Sequence, residues 1–295
     1  MGKSARAQNA RLVELRAQQA KAERRSKLMI AGATVGVVAI VVIALVIAAL
    51  QGGTDVTGQS STALDQATFA KVTSVPAASL DTVGAGASDN PPKTIDAPAL
   101  TKDGKPRVLY VGAEYCPYCA TERWPLVVAL SRFGTWNNLS ASFSAPAPEV
   151  NPNTATVSFH GATYSSQYVS FTGYETSTNK QTNGQWGKLD TLEGEDLALF
   201  QKFNAPPYVQ SSGAIPWINL GGTSIQAGAS YNSAVILNKT QAEIATALAD
   251  PTTDIAKGVN GAANVLTAQI CKSTNQQPTA VCTAPGVVAA AAKPQ

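Results

Sequence analysis

The residues best suited to chemistry are two cysteines separated by two positions, in the sequence Cys116-Pro117-Tyr118-Cys119. They follow the apolar run 108–111 and precede a helical pattern, so we expect them at a junction between a strand and a helix. A helix start offers free backbone N–H groups and a positive dipole end, and both favour a thiolate. The thiolate is the nucleophile of disulfide exchange. This placement predicts thiol–disulfide chemistry, with Pro117 in the first turn and Cys116 as the N-cap.

Other uses of such a pair are a zinc site, an inert disulfide and a soft-metal site. Zinc takes four N or S ligands, often as two closely spaced pairs. The other two cysteines, Cys271 and Cys282, are eleven residues apart, and the only histidine is His160, which we expect on the surface. The ligand count therefore favours redox chemistry, and no metal is expected. An inert disulfide or a copper(I) site stays as the alternative.

The cysteine count favours an oxidising compartment. Four cysteines, an even number, all lie in the last two thirds of the chain, and paired cysteines persist outside the cytosol. The spacing suggests the pairs 116–119 and 271–282. Closing the short loop of the second pair stabilises a fold by about 3 kcal/mol on the chain-entropy model. A structural disulfide is favoured there over a relay pair that exchanges with the first.

The N-terminal region carries the signature of a membrane anchor. Residues 28–50 contain no charged side chain, and as a helix they span about 35 Å, enough for a hydrocarbon core of about 30 Å. The apolar core of a cleavable signal peptide is shorter, about 7–15 residues, so an uncleaved anchor is favoured. Residues 1–27 hold 8 Lys and Arg against 2 Asp and Glu. This basic flank predicts a cytoplasmic N-terminus and gives no reason to expect nucleic-acid binding.

Composition divides the chain into five parts. The Gly, Ser, Thr and Gln residues after the apolar span indicate a flexible linker, and the Ala, Val and Pro residues at the end indicate disorder. The parts are a basic cytoplasmic segment 1–27, a transmembrane signal anchor 28–50, a linker 51–61, an extracytoplasmic domain 62–283 and a disordered tail 284–295.

Within the domain, periodicity and turn signals predict alternating strands and helices. In chain order they are a strand at 107–112, the helix of the cysteine pair, β-rich segments at 139–144, 156–160 and 168–174, a helix at 192–203, a hairpin across Gly221-Gly222, a helix opened by a capping box at Thr240 and Glu243, and a helix at 253–272.

This order, with the segment AEYCPYC at 113–119, resembles the thioredoxin superfamily. The segment GAIPW at 213–217 is similar to that superfamily's second hallmark, in which a cis-proline opens a strand beside the cysteine pair. Residues 116–124 and 130–134 resemble, more narrowly, an exported, membrane-anchored thioredoxin-like family of actinobacteria and archaea that is catalogued as a domain of unknown function. The resemblance implies an α/β fold, a thioredoxin-like central mixed sheet flanked by helices, preceded here by a single N-terminal transmembrane helix.

The resemblance also implies roles for particular residues. Cys116 would be the attacking thiol and Cys119 the resolving thiol. Pro216 would be the cis-proline that presents backbone to an extended substrate peptide, with Ile215 beside it as a substrate contact.

Further candidates surround these positions. Tyr118 and Trp217 are candidate substrate contacts. Exposure is favoured for Tyr118, whereas Trp217 fits a core position equally well. Thioredoxins place a buried aspartate six residues before the first cysteine, where this chain has Tyr110. Glu114 and Glu122 are candidate proton carriers, although a solvated or ion-paired surface position is the favoured interpretation of Glu122.

The sequence therefore predicts a membrane-anchored, extracytoplasmic thiol–disulfide oxidoreductase that needs no diffusible cofactor. Its partners would be the thiols and disulfides of exported proteins and an unidentified membrane redox partner. Oxidase or isomerase activity is slightly favoured over reductase activity, because Tyr110 replaces the buried acid. The alternative is a non-catalytic binding module, or a copper carrier, of the cell envelope.

Overall fold

The computed structural model describes residues 55–292. The predicted basic segment 1–27, the predicted anchor 28–50 and the first part of the linker lie outside the described residues. Within residues 55–292, no helix combines the length and the apolar character needed to cross a bilayer.

The described residues form a mixed α/β structure. The strands are β1 (Thr62–Ala63), β2 (Lys93–Thr94), β3 (Thr101–Lys102), β4 (Lys105–Gly112), β5 (Gly134–Asn137), β6 (Ser140–Phe143), β7 (Ala155–Ser158), β8 (Thr163–Ser166), β9 (Ser170–Glu175), β10 (Ser177–Thr182), β11 (Gln185–Lys188), β12 (Trp217–Leu220) and β13 (Ser224–Ala227). The helices are α1 (Gln66–Thr73), α2 (Ala77–Val83), α3 (Pro117–Ser131), α4 (Gly194–Phe203), α5 (Gln241–Ala247), α6 (Asp254–Ser273), α7 (Thr279–Cys282) and α8 (Pro285–Ala291), with a 3₁₀ turn at Ser233–Ile236.

The central sheet has the strand order β2–β13–β12–β4–β9, and β3 pairs with the start of β4. β4 and β9 are parallel. β12 is antiparallel to β4 on its other side, and β13 is antiparallel to β12. Trp217 at the start of β12 pairs with Val111 near the end of β4. The backbone that precedes β12 therefore lies beside the backbone that follows β4, where the cysteines begin.

Both faces of this sheet are covered. Val108 and Tyr110 of β4 belong to the larger apolar cluster, formed with α3 and α6. Leu109 and Val111 belong to a second cluster, formed with α4. Successive side chains of a strand point to opposite faces, so a strand that is buried on both sides needs apolar residues at consecutive positions. This explains the unbroken run 108–111.

The structure confirms several helix and strand boundaries that were predicted from local sequence signals. Cys116 is the N-cap of α3 and Pro117 its first residue. The capping box at Thr240 and Glu243 opens α5, with both reciprocal hydrogen bonds formed. The predicted hairpin across Gly221-Gly222 is present as β12 and β13. Gly222 needs to be glycine, because its φ is +80° and a Cβ there would collide with the backbone of residue 98.

The prediction of disorder after residue 284 was wrong for Pro285–Ala291, which form α8. Val287 and Ala290 are buried, and Val287 joins the same apolar cluster as Leu80 of α2. The backbone N–H of Gly286 also donates to a carboxylate oxygen of Asp81 at 3.0 Å. The Ala- and Val-rich composition that suggested disorder supplies an apolar helix face, and tertiary packing covers that face.

Candidate active site

The cysteine pair lies at the first turn of α3, as predicted. Cys116 has backbone angles φ −74° and ψ 120°, which are extended rather than helical. Its Sγ accepts a hydrogen bond from the backbone N–H of Cys119 at 3.1 Å. Both residues are free thiols, so the structure holds the dithiol form rather than the disulfide that the spacing suggested. Cys116 is 4% exposed and Cys119 is fully buried.

The two thiols differ in their tendency to ionise. Burial opposes ionisation of Cys116, but hydrogen bonds from the thiol and the backbone N–H of Cys119, together with the charge of Arg123, lower the pKa of Cys116 below its ordinary value. Burial and the neighbouring Cys116 sulfur raise the pKa of Cys119 well above its ordinary value. Cys116 is thus suited to be a nucleophile, and Cys119 a protonated thiol that donates to it.

The proline segment lies against the first cysteine. The peptide bond between Ile215 and Pro216 is cis, which confirms the predicted geometry. The Cys116 thiol donates to the carbonyl oxygen of Ile215, with 3.7 Å between sulfur and oxygen. The carbonyl oxygen of Pro216 is engaged by the backbone N–H of Gly228 at 2.9 Å. Cys116 and Ile215, which are 99 positions apart in the chain, are therefore in contact through the Cys116 sulfur.

The two aromatic candidates have different environments. Tyr118 is 46% exposed, in agreement with the prediction. Trp217 is fully buried and packs edge-to-face on Phe200 of α4, with 5.5 Å between the ring centroids. The prediction of Trp217 as a substrate contact was therefore wrong. The alternation of β12 points its side chain into the second apolar cluster.

Two surface grooves lie near the cysteine pair, and Tyr118, between the two cysteines, lines one of them. Tyr118 lines a groove of about 520 Å³, together with Asn151, Gly228, Tyr231 and Asn232 among others. Val150, the residue before Asn151 in the sequence, is 54% exposed. A second groove of about 360 Å³ also reaches Gly228 and is lined by residues of the segment before the cis-proline and of β13. The two grooves adjoin at Gly228.

The carboxyl groups predicted as proton carriers are both buried. Both Glu122 oxygens accept hydrogen bonds from Ser230, one from its backbone N–H and one from its hydroxyl, each at 2.7 Å. Burial raises the pKa of Glu122 to about 8, against the lowering effect of the Ser230 bonds. The surface interpretation of Glu122 was therefore wrong. Glu114 is 6% exposed and accepts from the Ser61 hydroxyl at 2.9 Å.

The sequence reasoning missed a buried ion pair next to the cysteines. Arg123 Nε donates to Glu175 Oε1 at 2.8 Å, and its Nη2 donates to Glu175 Oε2 at 2.6 Å. The same Nη2 donates to the carbonyl oxygen of Ala113 at 2.7 Å. Neither charged side chain is exposed to solvent. One signal was available: Arg123 lies four residues after Cys119, on the same face of the helix. Glu175, at the end of β9, had no local signal.

The second cysteine pair forms a disulfide between Cys271 of α6 and Cys282 of α7, as its spacing suggested. Both cysteines are buried. His160 is exposed, as predicted, and its Nδ1 lies 2.7 Å from a carboxylate oxygen of Asp190. Within the described part of the chain, no group of three or more His, Cys, Asp or Glu side chains is arranged to hold a metal ion.

Comparison with known proteins places one segment in a family context. Residues 92–191, about a third of the chain, match the family model of a domain of unknown function (DUF929). The matched segment includes both cysteines of the pair, Arg123 and Glu175, and ends before Pro216. No curated protein and no solved structure matches the chain.

Proposed function

We propose that this protein is a thiol–disulfide oxidoreductase with a thioredoxin-like domain. The order of elements supports the fold: β4 leads into the helix of the cysteine pair, β9 returns parallel to β4, and the hairpin of β12 and β13 follows a cis-proline. The opposite pKa shifts of the two thiols support the chemistry, because exchange needs one thiol that ionises readily to attack and a second that stays protonated until it resolves the mixed disulfide.

A single observation carries the proposal. The Cys116 sulfur is the N-cap of α3, receives the Cys119 N–H, and lies 3.7 Å from the carbonyl oxygen next to the cis-proline. An inert pair does not require a nucleophilic sulfur beside the cis-proline segment, with one groove lined by Tyr118 and a second lined by Ala214, next to Ile215. An extended polypeptide in those grooves would bring its own sulfur to Cys116, with Ile215, Pro216 and Tyr118 as its contacts.

In the reducing direction, the Cys116 thiolate attacks a client disulfide. One sulfur of the client leaves as a thiol, and the other stays bound to Cys116 as a mixed disulfide. Cys119 then attacks the Cys116 sulfur, forms the Cys116–Cys119 disulfide and releases the second client thiol. The oxidising direction is the reverse, in which a client thiolate attacks the Cys116–Cys119 disulfide. Each turnover moves two electrons between the pair and the client, with no diffusible cofactor.

We further propose that this chemistry takes place outside the cytoplasmic membrane, on exported proteins, with residues 28–50 as the anchor. The Cys271–Cys282 disulfide supports an oxidising compartment. A membrane redox partner would restore the pair after each turnover. Oxidation or isomerisation is the direction that we favour, because the Cys116 thiolate is stabilised in the dithiol form, and this stabilisation makes the disulfide form a stronger oxidant.

The test measures disulfide exchange by the purified full chain in detergent. We expect the protein to accelerate insulin reduction by dithiothreitol and the reoxidation of a reduced, unfolded substrate. Cys116→Ala should remove both activities. The matched control is the double variant Cys271→Ser/Cys282→Ser, which removes the other cysteine pair and should retain exchange. A wild-type protein without either activity, or a Cys116→Ala variant as active as wild type, would overturn the proposal.

Client proteins can be identified with Cys119→Ser. This variant retains the attacking thiol but lacks the resolving thiol, so mixed disulfides with Cys116 should accumulate. Non-reducing electrophoresis should show adducts that disappear in Cys116→Ala/Cys119→Ser. Their mass-spectrometric identification names the clients directly.

A further inference from the structure

Arg123 is a buried cation placed beside the resolving cysteine. It follows Cys119 by four residues in α3, so the two side chains share one face of the helix. Its side chain is fully buried. Two of its guanidinium nitrogens, Nε and Nη2, bind Glu175 and the carbonyl oxygen of Ala113. The Ala113 carbonyl also accepts from the backbone N–H of Cys116 at 3.2 Å, which links the guanidinium to the turn that carries the cysteines.

The third guanidinium nitrogen is unpaired. Arg123 Nη1 is buried and has no hydrogen-bond partner, and the same is true of the Tyr110 hydroxyl on β4. A buried donor without an acceptor costs stability, about 1–3 kcal/mol and more for a charged group. Such donors in a native structure call for an explanation. Here the Arg123 charge lowers the pKa of both cysteines, and the cysteine charges in turn raise the pKa of Tyr110.

The ion pair is not neutral in its effect on Cys119. Burial is the largest cause of the raised pKa of Cys119. Of the two charges, Arg123 lowers this pKa more than Glu175 raises it. Glu175 compensates the buried cation without cancelling its action on the sulfur.

We propose that Arg123 is a positioning residue for the resolving step: its charge, with the unpaired Nη1, stabilises the Cys119 thiolate as it forms, and Glu175 limits that stabilisation. This inference rests on the proposed function and deepens it. It explains how a fully buried thiol can become a nucleophile in a chain that has Tyr110 where thioredoxins have a buried aspartate.

A mixed disulfide joins Cys116 to a client sulfur, and Cys119 is a thiol. Cys119 loses its proton and its sulfur attacks the Cys116 sulfur. The Cys116–Cys119 bond forms, the bond between Cys116 and the client breaks, and the client sulfur leaves with the electron pair and takes up a proton. In this step the Cys119 thiol is oxidised, the Cys116 sulfur stays in a disulfide, and the client sulfur is reduced to a thiol.

The experiment isolates this step with dithiobis(nitrobenzoate), an aromatic disulfide, on the reduced full chain with its Cys271–Cys282 bond intact. Attack by Cys116 releases one coloured thionitrobenzoate and leaves a mixed disulfide. Attack by Cys119 releases the second. The rate of the second phase is measured against pH by stopped flow. Cys119→Ser serves as the control, because it should release only one equivalent.

The variants separate charge from structure. Arg123→Met alone would leave the Glu175 carboxylate buried and unpaired, so the fold is at risk. Glu175→Gln leaves the Arg123 charge without its counter-ion but keeps an amide oxygen that can accept from the guanidinium, and Arg123→Met/Glu175→Gln removes both charges. The two variants differ from each other only at position 123. Arg123→Lys keeps the charge and gives a second comparison if Glu175→Gln does not fold. Circular dichroism monitors the fold of each variant.

We expect the two Glu175 variants to move in opposite directions. Glu175→Gln should shift the pH midpoint of the second phase downward. Arg123→Met/Glu175→Gln should shift the pH midpoint of the second phase upward. At a fixed pH below both midpoints, the second phase of this double variant should therefore be slower than that of Glu175→Gln by about tenfold or more. A tenfold change corresponds to one pKa unit. Arg123→Lys should resemble wild type more than the double variant.

Two failures are distinguishable. If wild-type Cys116 shows no first phase, the proposed function fails and this inference with it. If the first phase is normal but the second phase has the same pH profile with and without the Arg123 charge, or is slowed equally in both Glu175 variants, the role of Arg123 is overturned and the proposed function stands.

Discussion

The buried carboxyl of Glu122 should make the stability of this protein fall as pH rises. Its pKa is raised from 4.5 to about 8, mainly by burial. A folded state that holds a proton more tightly than the unfolded chain is stabilised below both pKa values, and it loses that advantage between them. The stability contribution of Glu122 is therefore full below about pH 4.5 and declines as pH rises towards 8.

The size of the effect follows from the same two pKa values. At about 1.4 kcal/mol for each pKa unit, the difference between 4.5 and about 8 amounts to about 5 kcal/mol above pH 8. Domains of this kind are stable by only about 5–15 kcal/mol in total. The ionisation of one carboxyl group would thus remove a large part of the free energy of unfolding.

The perturbation is Glu122→Gln, which keeps the shape of the side chain and cannot ionise. Its carbonyl oxygen can accept from the Ser230 N–H, and the Ser230 hydroxyl can rotate to accept from the amide. We expect the variant and wild type to have similar stability at pH 5. At pH 9 the variant should be more stable by several kcal/mol.

The assay is guanidinium unfolding at a series of pH values between 5 and 9, followed by tryptophan fluorescence. The control is Glu243→Gln in the exposed capping box. Hydrogen bonds from Thr240 lower the pKa of Glu243. The contribution of Glu243 to the free energy of unfolding is therefore present above about pH 4.5 and is lost in acid, which is the opposite pH dependence to that of Glu122. A stability difference between Glu122→Gln and wild type that stays constant from pH 5 to pH 9 would refute the reasoning.

Three further predictions concern the second disulfide and the two aromatic side chains. Removing the second disulfide with Cys271→Ser/Cys282→Ser should lower the free energy of unfolding by about 3 kcal/mol, measured by urea denaturation; no loss would mean that the bond does not restrain the unfolded chain. Trp217→Ala should cost about 3–5 kcal/mol because the side chain is fully buried, whereas Tyr118→Ala should leave stability nearly unchanged and raise the KM for a protein client. Equal stability losses in the two aromatic variants would contradict the assigned environments.

The features that could be predicted from the sequence are those with local causes. A cysteine at a helix start, a proline at the first helical position and a capping box each act within four residues. The hairpin across two glycines is likewise local, since its backbone angles are set by the turn itself. For these reasons the cysteine pair, the hairpin and α5 were placed correctly, whereas the cis-proline at Pro216 was expected from the family resemblance.

The features that were missed depend on contacts between distant segments. Glu122 looks like a solvated acid until Ser230, from the loop after β13, supplies two hydrogen bonds. Glu175 becomes a partner of Arg123 only because β9 pairs beside β4. Helix α8 exists because α6 and α2 cover its apolar face. No window of sequence contains both partners of any of these contacts.

The pairing of β4 also bears on how the protein can be divided. Val111 has Tyr174 as its neighbour on one side and Trp217 on the other. The segment 92–191 contains only the first of these neighbours. Expressed alone, it would leave β4 with an open hydrogen-bonding edge, which favours association between chains, and it would leave the Cys116 sulfur without the Ile215 carbonyl. A segment that keeps both neighbours of β4 has to extend beyond residue 191 and include β12.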